Sequence, residues 1–320
     1  PSFIIEKLQN YMTFPAIEAN LHAMNTLSTT GHFYIRKNFP HHLSFEMDRS
    51  TSEIIRNEYL KKELSSLNIL YQQDPQYPFI FRIPNSQKST FLKSNLYQEK
   101  KWIIQQKPSI IASSLLSLSL HDAFIDLAAA PGMKISGILA ENQHVGHIIA
   151  NDFDRKRLSQ IPSVLIPYNS PNIHLIHSDG TQTPFRPTLK TDTKNSSLSA
   201  IIVDAPCTGS GTFTTNPELK WRQKPIFLKR FVNIQKQMLL QATHLLPSGG
   251  LLLYCTCSLY FEEGEGQIRD IWEKFRPIDL PDSIRSAYKI KNKKWNKAIG
   301  RFFPAQDQTI GFFIAKMEKK

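Results

Sequence analysis

Ala123-Phe124-Ile125-Asp126-Leu127-Ala128-Ala129-Ala130-Pro131-Gly132-Met133-Lys134 passes from an apolar segment of strand character, through a loop of small residues, into a helical run from Ile135 to Glu141. The same order recurs along the chain. His147-Ile148-Ile149-Ala150 ends in Asn151-Asp152 and leads to a basic helix with Arg155, Lys156 and Arg157. Ile173-His174-Leu175-Ile176 ends in Ser178-Asp179-Gly180, and Ala200-Ile201-Ile202-Val203 ends in Asp204. A helix from about Ile226 to Leu246 feeds a last strand, Gly250 to Tyr254. Nearly continuous apolar strands alternating with helices predict an α/β fold: a mostly parallel sheet with helices on both faces.

Ligands of such sheets bind beyond the carboxyl ends of the strands. Here each strand ends in something polar or reactive: the Ala128 to Lys134 loop, Asp152, Asp179, Asp204 with Cys207, and Cys257 after the last strand. Small residues at a helix amino terminus let a ligand approach the backbone, and an acid closing the second strand suits the two hydroxyls of a ribose. Asp at a strand end is also a common helix cap. The loop is no phosphate cradle, because G-x-x-x-x-G-K-S/T is missing and Pro131 with a single glycine replaces the three-glycine dinucleotide fingerprint. An adenosyl ligand without phosphates fits this set, which suggests S-adenosylmethionine.

The chain has 320 residues, enough for one large domain and a smaller one. Its formal net charge of +12, from 39 Lys and Arg against 27 Asp and Glu, favours a polyanionic partner, nucleic acid before an anionic membrane surface. Three cysteines cannot form an even disulfide framework, so a reducing, intracellular setting is expected, cytoplasmic or, in a eukaryote, nuclear. Cys255-x-Cys257 with one distant Cys207 lacks the paired spacing of zinc ligands, and no metal is expected. The longest apolar stretch near the middle, Ile110 to Leu120, carries four serines and reads as a buried helix, not a membrane span. Pro1 to Phe14, with Glu6 and Lys7, does not read as a signal peptide.

Residues 1 to about 70 carry apolar side chains at helical spacing, as in Ile54, Ile55, Tyr59, Leu60, Leu64 and Leu67. Phe79 to Ile83, between prolines, reads as a short strand. Lys93, Tyr97, Lys100, Lys101 and Trp102 interleave cations with aromatics, as in surfaces that neutralise a nucleic-acid backbone and stack bases, and as in an ordinary solvated face. The basic residues of Lys289 to Lys297 form a second run, a candidate for contact with an RNA backbone or a solvated loop. Thr188 to Ser199 is polar enough for a mobile loop.

Asp126 to Lys134, Ala150-Asn151-Asp152, Asp204-Ala205-Pro206-Cys207-Thr208-Gly209-Ser210-Gly211 and Tyr254-Cys255-Thr256-Cys257-Ser258 resemble, in order, the motifs of the RsmB/Nop2/Sun family of RNA 5-methylcytosine methyltransferases. Lys220-Trp221-Arg222, Glu262-Glu263-Gly264-Glu265, and the segment from Arg301-Phe302-Phe303-Pro304 to Gly311-Phe312-Phe313-Ile314-Ala315 extend the likeness over residues 95 to 320. The resemblance implies a Rossmann-like methyltransferase domain over residues 109–320, preceded by a smaller helical and mixed domain over 1–108 that extends the RNA-binding surface. It implies S-adenosylmethionine bound by Ala128, Ala129, Ala130, Pro131, Gly132, Met133, Lys134, Asp152, Arg157, Asp179 and Asp204, and a monomer acting on tRNA or rRNA.

Carbon 5 of cytosine is too weak a nucleophile to accept a methyl group unaided. A thiolate added at carbon 6 makes the ring an enamine, and a base must later remove the carbon-5 proton so that the thiol can leave. By resemblance, Cys257 is the nucleophile and Cys207 assists release. Asp204 would bond the nitrogen edge of the base, and Lys134 would assist thiolate formation or the charge balance. Strand alternation is taken to point Cys255 away from Cys257, as a core residue. Two other readings stay open: a DNA cytosine methyltransferase, in which the Pro-Cys cysteine would attack, and a non-catalytic RNA-binding assembly factor on the same scaffold.

Overall fold

The computed structural model describes residues 2–38, 49–119, 122–142, 145–168, 172–185 and 197–320. Two sheets organise it. Strands β1 (His32–Lys37), β2 (Gln72–Gln73), β3 (Ile80–Pro84) and β4 (Trp102–Ile104) form an antiparallel sheet in the order β2-β3-β1-β4. The second, nine-stranded sheet contains β5 (Asp122–Asp126), β6 (His147–Asp152), β7 (Ile173–His177), β8 (Ser197–Asp204), β9 (Leu251–Thr256), β10 (Phe275–Pro277), β11 (Arg285–Ser286), β12 (Ile299–Phe302) and β13 (Phe312–Lys319).

Parallel pairing joins β7-β6-β5-β8-β9, the five strands expected from the apolar runs. The parallel part is only half of the ladder. β13 lies antiparallel on β9, and β12, β11 and β10 continue it by antiparallel pairing, so the sheet is mixed. Phe312–Lys319 is the return strand that lets the chain end beside β9, with Phe313 opposite Thr256. From β5 the chain first steps outward to β6 and β7, then returns to place β8 and β9 on the other side. That reversal between β5 and β8 opens a crevice at the carboxyl ends of both strands.

Side chains alternate across the sheet. Phe124, Ile148, Ile202, Leu253 and Ile314 face a core closed by Ile135 and Ile138 of the helix Met133–Glu141. Ile125, Ile201, Val203, Leu252 and Phe313 face the other core, closed by Met238, Leu239, Ala242 and Leu245 of the helix Pro225–Leu245. Each burial of this kind contributes about 1.5–3 kcal/mol per large side chain relative to exposure. Among the described residues no helix is long and apolar enough to cross a membrane; Ile110 to Leu116 packs instead into the first of these cores.

The amino-terminal third departs from the helical reading. Helices Ser2–Leu8, Phe14–Thr30 and Arg49–Ser66 are present, and Leu60 and Leu64 are fully buried, but β1 interrupts them. His32-Phe33-Tyr34-Ile35-Arg36-Lys37 hides its period because β1 is a central strand, paired on both sides and covered on both faces. The first two helices pack on Phe213 in the loop after β8, Leu228 of the helix Pro225–Leu245, and Leu259 and Tyr260 after β9, and not on the first sheet. Residues 186–196 lie outside the described part, and with them most of the expected loop 188–199; Ser197 to Ser199 already belong to β8.

Candidate active site

A cleft of about 770 Å³ opens beyond the carboxyl ends of β5 to β9. Ala128 and Ala130 line it from the loop after β5, Asp152, Phe153 and Arg157 from the segment after β6, Asp179 and Gly180 after β7, Asp204 and Cys207 after β8, and Cys257 after β9. The sheet thus brings together residues spread over 130 positions of the sequence. Ala129, Pro131 and Gly132 of the same loop, and Met133 and Lys134 of the helix that follows it, do not line the cleft. The chain turns at Gly132, whose φ of 98° is the left-handed conformation that glycine adopts without a Cβ penalty, and Met133 already begins the helix.

The loop after β5 is held by the acids and bases around it. Asp152 Oδ2 accepts the Ala130 amide at 2.9 Å while Oδ1 accepts the Asp154 amide at 2.8 Å. Arg157 Nη2 donates to the Ala130 carbonyl at 2.5 Å. Asp152 and Arg157 therefore shape the cleft wall as well as facing it. Each carboxylate oxygen keeps lone pairs for a ligand beyond these bonds.

Cys207 and Cys257 meet with their sulfurs 3.2 Å apart, and neither is in a disulfide. They are brought together because β8 and β9 are neighbours in parallel register, Asp204 beside Cys255, and each cysteine follows its strand into the cleft. The hydrogen bond to Cys257 and burial both push the Cys207 thiol well up, so Cys207 keeps its proton and can donate it toward the Cys257 sulfur. Cys255 is fully buried, as expected, but the face assigned to it was not right. Residues two apart on a strand share a face, and both Cys255 and Cys257 pack on the core that contains Leu253. What separates them is depth: Cys255 lies inside the sheet, Cys257 past its end.

Lys134 points under the cleft. Its ammonium, with the side chain only 6% exposed, pairs with Asp204 Oδ2 and donates to Ser109 Oγ at 3.2 Å. Burial alone would lower its affinity for a proton, but Asp204 beside it reverses that and holds the ammonium charged. Lys134 thus meets the cleft through its ion pair with Asp204 and does not line it. Asp126, beneath both, is pushed up to about 7 by burial and by the charge of Asp204, against an opposing hydrogen bond from the Ala128 amide.

A model of the 16S rRNA methyltransferase RsmB/F family matches residues 113–318. The chain belongs to this family. A tRNA (cytosine(72)-C(5))-methyltransferase of Pyrococcus horikoshii is 30% identical over 241 residues, covering 75% of this chain and 56% of that protein. A 28S rRNA (cytosine-C(5))-methyltransferase of Mus musculus is 27% identical over 234 residues, 70% of this chain and 28% of that protein. The chain thus spans well under two thirds of either relative. The crystal structure of PH0851 superposes on all of this chain and 66% of its own with a TM-score of 0.80 at 26% identity. That of NSun6 from Pyrococcus horikoshii with SFG gives 0.78 at 20% identity, over 98% of its length. The motif resemblance and the Rossmann-like methyltransferase fold are borne out.

RsmB/F proteins use S-adenosylmethionine, and the cleft is built for a group of that kind. Acids at three successive strand ends face it, and Gly180 lets the segment after β7 lie close against the loop after β5, since a Cβ there would sit 2.7 Å from the Leu127 carbonyl. Phe153, 74% exposed beside Asp152, adds an aromatic face that the sequence reading passed over, although its place directly after the strand-ending acid is a usable signal.

More was hidden in the RsmB/F scaffold that holds the two cysteines. Glu263, fully buried, accepts the Thr208 amide at 2.9 Å, the Thr208 hydroxyl at 2.5 Å and the Gln235 amide at 3.0 Å, locking the loop after Cys207. Burial raises its carboxyl, and these donors oppose that rise. Arg301 and Glu265, both 0% exposed, pair at 2.6 Å, and Arg301 also donates to the Ser258 carbonyl at 2.6 Å and the Tyr260 carbonyl at 3.0 Å. Arg301 thereby fixes the chain immediately after Cys257. The Gly211 amide donates to the Cys257 carbonyl at 3.1 Å, and the Gly311 amide to the Gly211 carbonyl at 2.8 Å. A Cβ on Gly211 would lie 2.2 Å from the Gly311 carbonyl oxygen, so only glycine permits this approach.

The basic stretches divide differently from expectation. Trp102 is 1% exposed in the core of the first sheet and offers no face to a base. Trp295 is 3% exposed, and Lys294 sits with Phe275, Arg276 and Lys320 near the start of β9, the end of the sheet away from Cys257. Trp221, by contrast, is 81% exposed in the short helix Pro217–Arg222, whose Glu218 and Leu219 form the lip of the cleft.

Proposed function

We propose that this protein is an S-adenosylmethionine-dependent RNA cytosine-C5 methyltransferase that works through a covalent bond between Cys257 and carbon 6 of a cytosine in tRNA or rRNA. The observation that carries this reading is the 3.2 Å approach of Cys207 to Cys257 on the rim of a cleft lined by Asp152, Asp179 and Asp204.

Asp152 and Asp179 would hold the hydroxyl and amino edges of the cofactor, with Phe153 against its base. The bound cofactor supplies an electrophilic methyl. A target cytosine must leave its stack to enter the cleft. Asp204, fixed by Lys134 from below, would then accept a hydrogen bond from the nitrogen edge of the ring and stabilise its protonated form, and the Cys257 thiolate would add at carbon 6, moving electron density to carbon 5. Once carbon 5 has gained the methyl and lost its proton to a base, the carbon–sulfur bond opens. Cys207, protonated and in contact with the departing sulfur, stabilises the thiolate that forms.

The RNA would approach over the lip at Trp221, with Arg222, Lys224, Lys229 and Arg230 exposed around it. An exposed indole among cations offers a stacking face together with backbone neutralisation. A DNA substrate is disfavoured because Cys257 would then have no task.

The test uses methyl-labelled S-adenosylmethionine with total RNA, and in parallel genomic DNA, from cells lacking the protein. Label should enter RNA as 5-methylcytosine. Label confined to DNA would overturn the reading, and no transfer to any nucleic acid would favour a scaffold role.

A further inference from the structure

A second cavity, of about 440 Å³, lies where the first sheet meets the methyltransferase domain, within the roughly 300–1,000 Å³ of small-ligand sites. His32 and Tyr34 of β1 and Lys88 line it from one side; Thr214, Gln308 and Thr309 line it from the other. Buried polar atoms are almost always hydrogen-bonded. Yet His32 Nε2, Thr214 Oγ1 and Thr309 Oγ1, all buried, have no partner, and all three side chains belong to this one cavity. Burial, then the charges of Arg82 and Lys107, push His32 down to about 4, so at neutral pH it is an uncharged imidazole with one donor and one acceptor nitrogen. Hydroxyls and a neutral imidazole, with an exposed ammonium at the rim, match the edge and the phosphate of a nucleotide.

The cavity is wired to the catalytic cysteine. Thr212 lines the cleft and Thr214 lines the cavity, with the buried Phe213 between them. Thr309 lies just before Gly311, which bonds Gly211, which bonds the Cys257 carbonyl. The Tyr34 hydroxyl donates to the Gln308 carbonyl at 3.1 Å, tying the first sheet to the same loop.

We propose that this cavity receives one unstacked nucleotide of the RNA next to the target cytosine and reads its base through His32, Thr214 and Thr309. The proposal rests on the RNA methyltransferase reading above. It makes the amino-terminal sheet a reader of sequence and not merely a basic extension.

The test is methylation of a pool of RNA hairpins whose loop, randomised around one cytosine, is read by bisulfite sequencing. Wild type should prefer one base at one flanking position. Thr309→Val and His32→Phe should relax that preference and raise KM for a preferred hairpin about tenfold, in line with leaving the base edge unmatched, with kcat little changed. Thr309→Val removes only an atom that has no partner in the free protein and His32→Phe removes the unpartnered Nε2 together with Nδ1, so the melting temperature of Thr309→Val should hold or rise. A purely structural role predicts the reverse: lower melting temperatures and an unchanged flanking preference, which would overturn the proposal. Absence of methylation of any hairpin by the wild type would instead overturn the methyltransferase reading, and this inference with it.

Discussion

The sulfurs of Cys207 and Cys257 lie 3.2 Å apart across two neighbouring parallel strands, although 50 residues separate them in the chain. The pair is held from outside. Glu263 grips the loop after Cys207, Arg301 grips the chain after Cys257, and Gly211 joins the two through the Cys257 carbonyl.

Breaking the Arg301–Glu265 pair should unfold the site. Both groups are fully buried at 2.6 Å, and removing one partner leaves the other as an uncompensated charge. Arg301→Met should cost about 3–5 kcal/mol of unfolding free energy by urea titration. A cost below about 1 kcal/mol would show that the network does not hold this end of the sheet.

Asp152→Asn should weaken S-adenosylmethionine binding by about 10- to 100-fold by calorimetry, since a bond to a charged acceptor contributes about 1.5–3 kcal/mol. The asparagine oxygen can still accept one of the two amides that Asp152 now holds, Ala130 or Asp154. Undiminished binding would move the cofactor away from this strand end.

Asp126 should make stability fall as pH rises. Its folded carboxyl titrates at about 7 against an ordinary 3.8, so between those values the native state holds a proton that the unfolded chain has released. The stabilisation is complete below about pH 4 and is lost by about pH 7. Asp126→Asn lacks this titration, so the stability of the variant relative to wild type should increase across that window. A difference that stays flat with pH would contradict the assignment.

Trp221→Ala should weaken RNA binding about 5- to 100-fold in a filter assay, the effect of about 1–3 kcal/mol per stacked base. Because the ring is 81% exposed, the melting temperature and cofactor affinity should not change. Unaltered RNA binding would place the RNA path elsewhere on the rim.

How much of this could be read in the chain follows from the physics of each feature. Four of the five parallel strands were legible because strands buried on both faces are continuous apolar runs, the edge strand β7 because it repeats their order of apolar run and closing acid, and the strand-end acids and cysteines because topology places carboxyl ends together. β1 was not legible, since a central strand flanked by helical sequence shows no alternation. Glu263, Glu265 and Arg301 could be quoted as motif residues, but their work is contact between distant segments, and a charged residue in sequence reads first as surface. Arg301 at 0% exposure reverses that expectation. Trp102 stood in a segment that reads as a stacking surface and is core, while Trp221, 81% exposed, stood among the same residue types.

The most direct measurement is trapping of the protein–RNA adduct under denaturing electrophoresis with the two single-cysteine variants in the presence of S-adenosylmethionine. Cys207→Ala should accumulate a denaturant-resistant adduct, because the bond forms at Cys257 and its release is slowed, while Cys257→Ala should form none and transfer no methyl. An adduct that requires Cys207 and persists in Cys257→Ala would contradict the account.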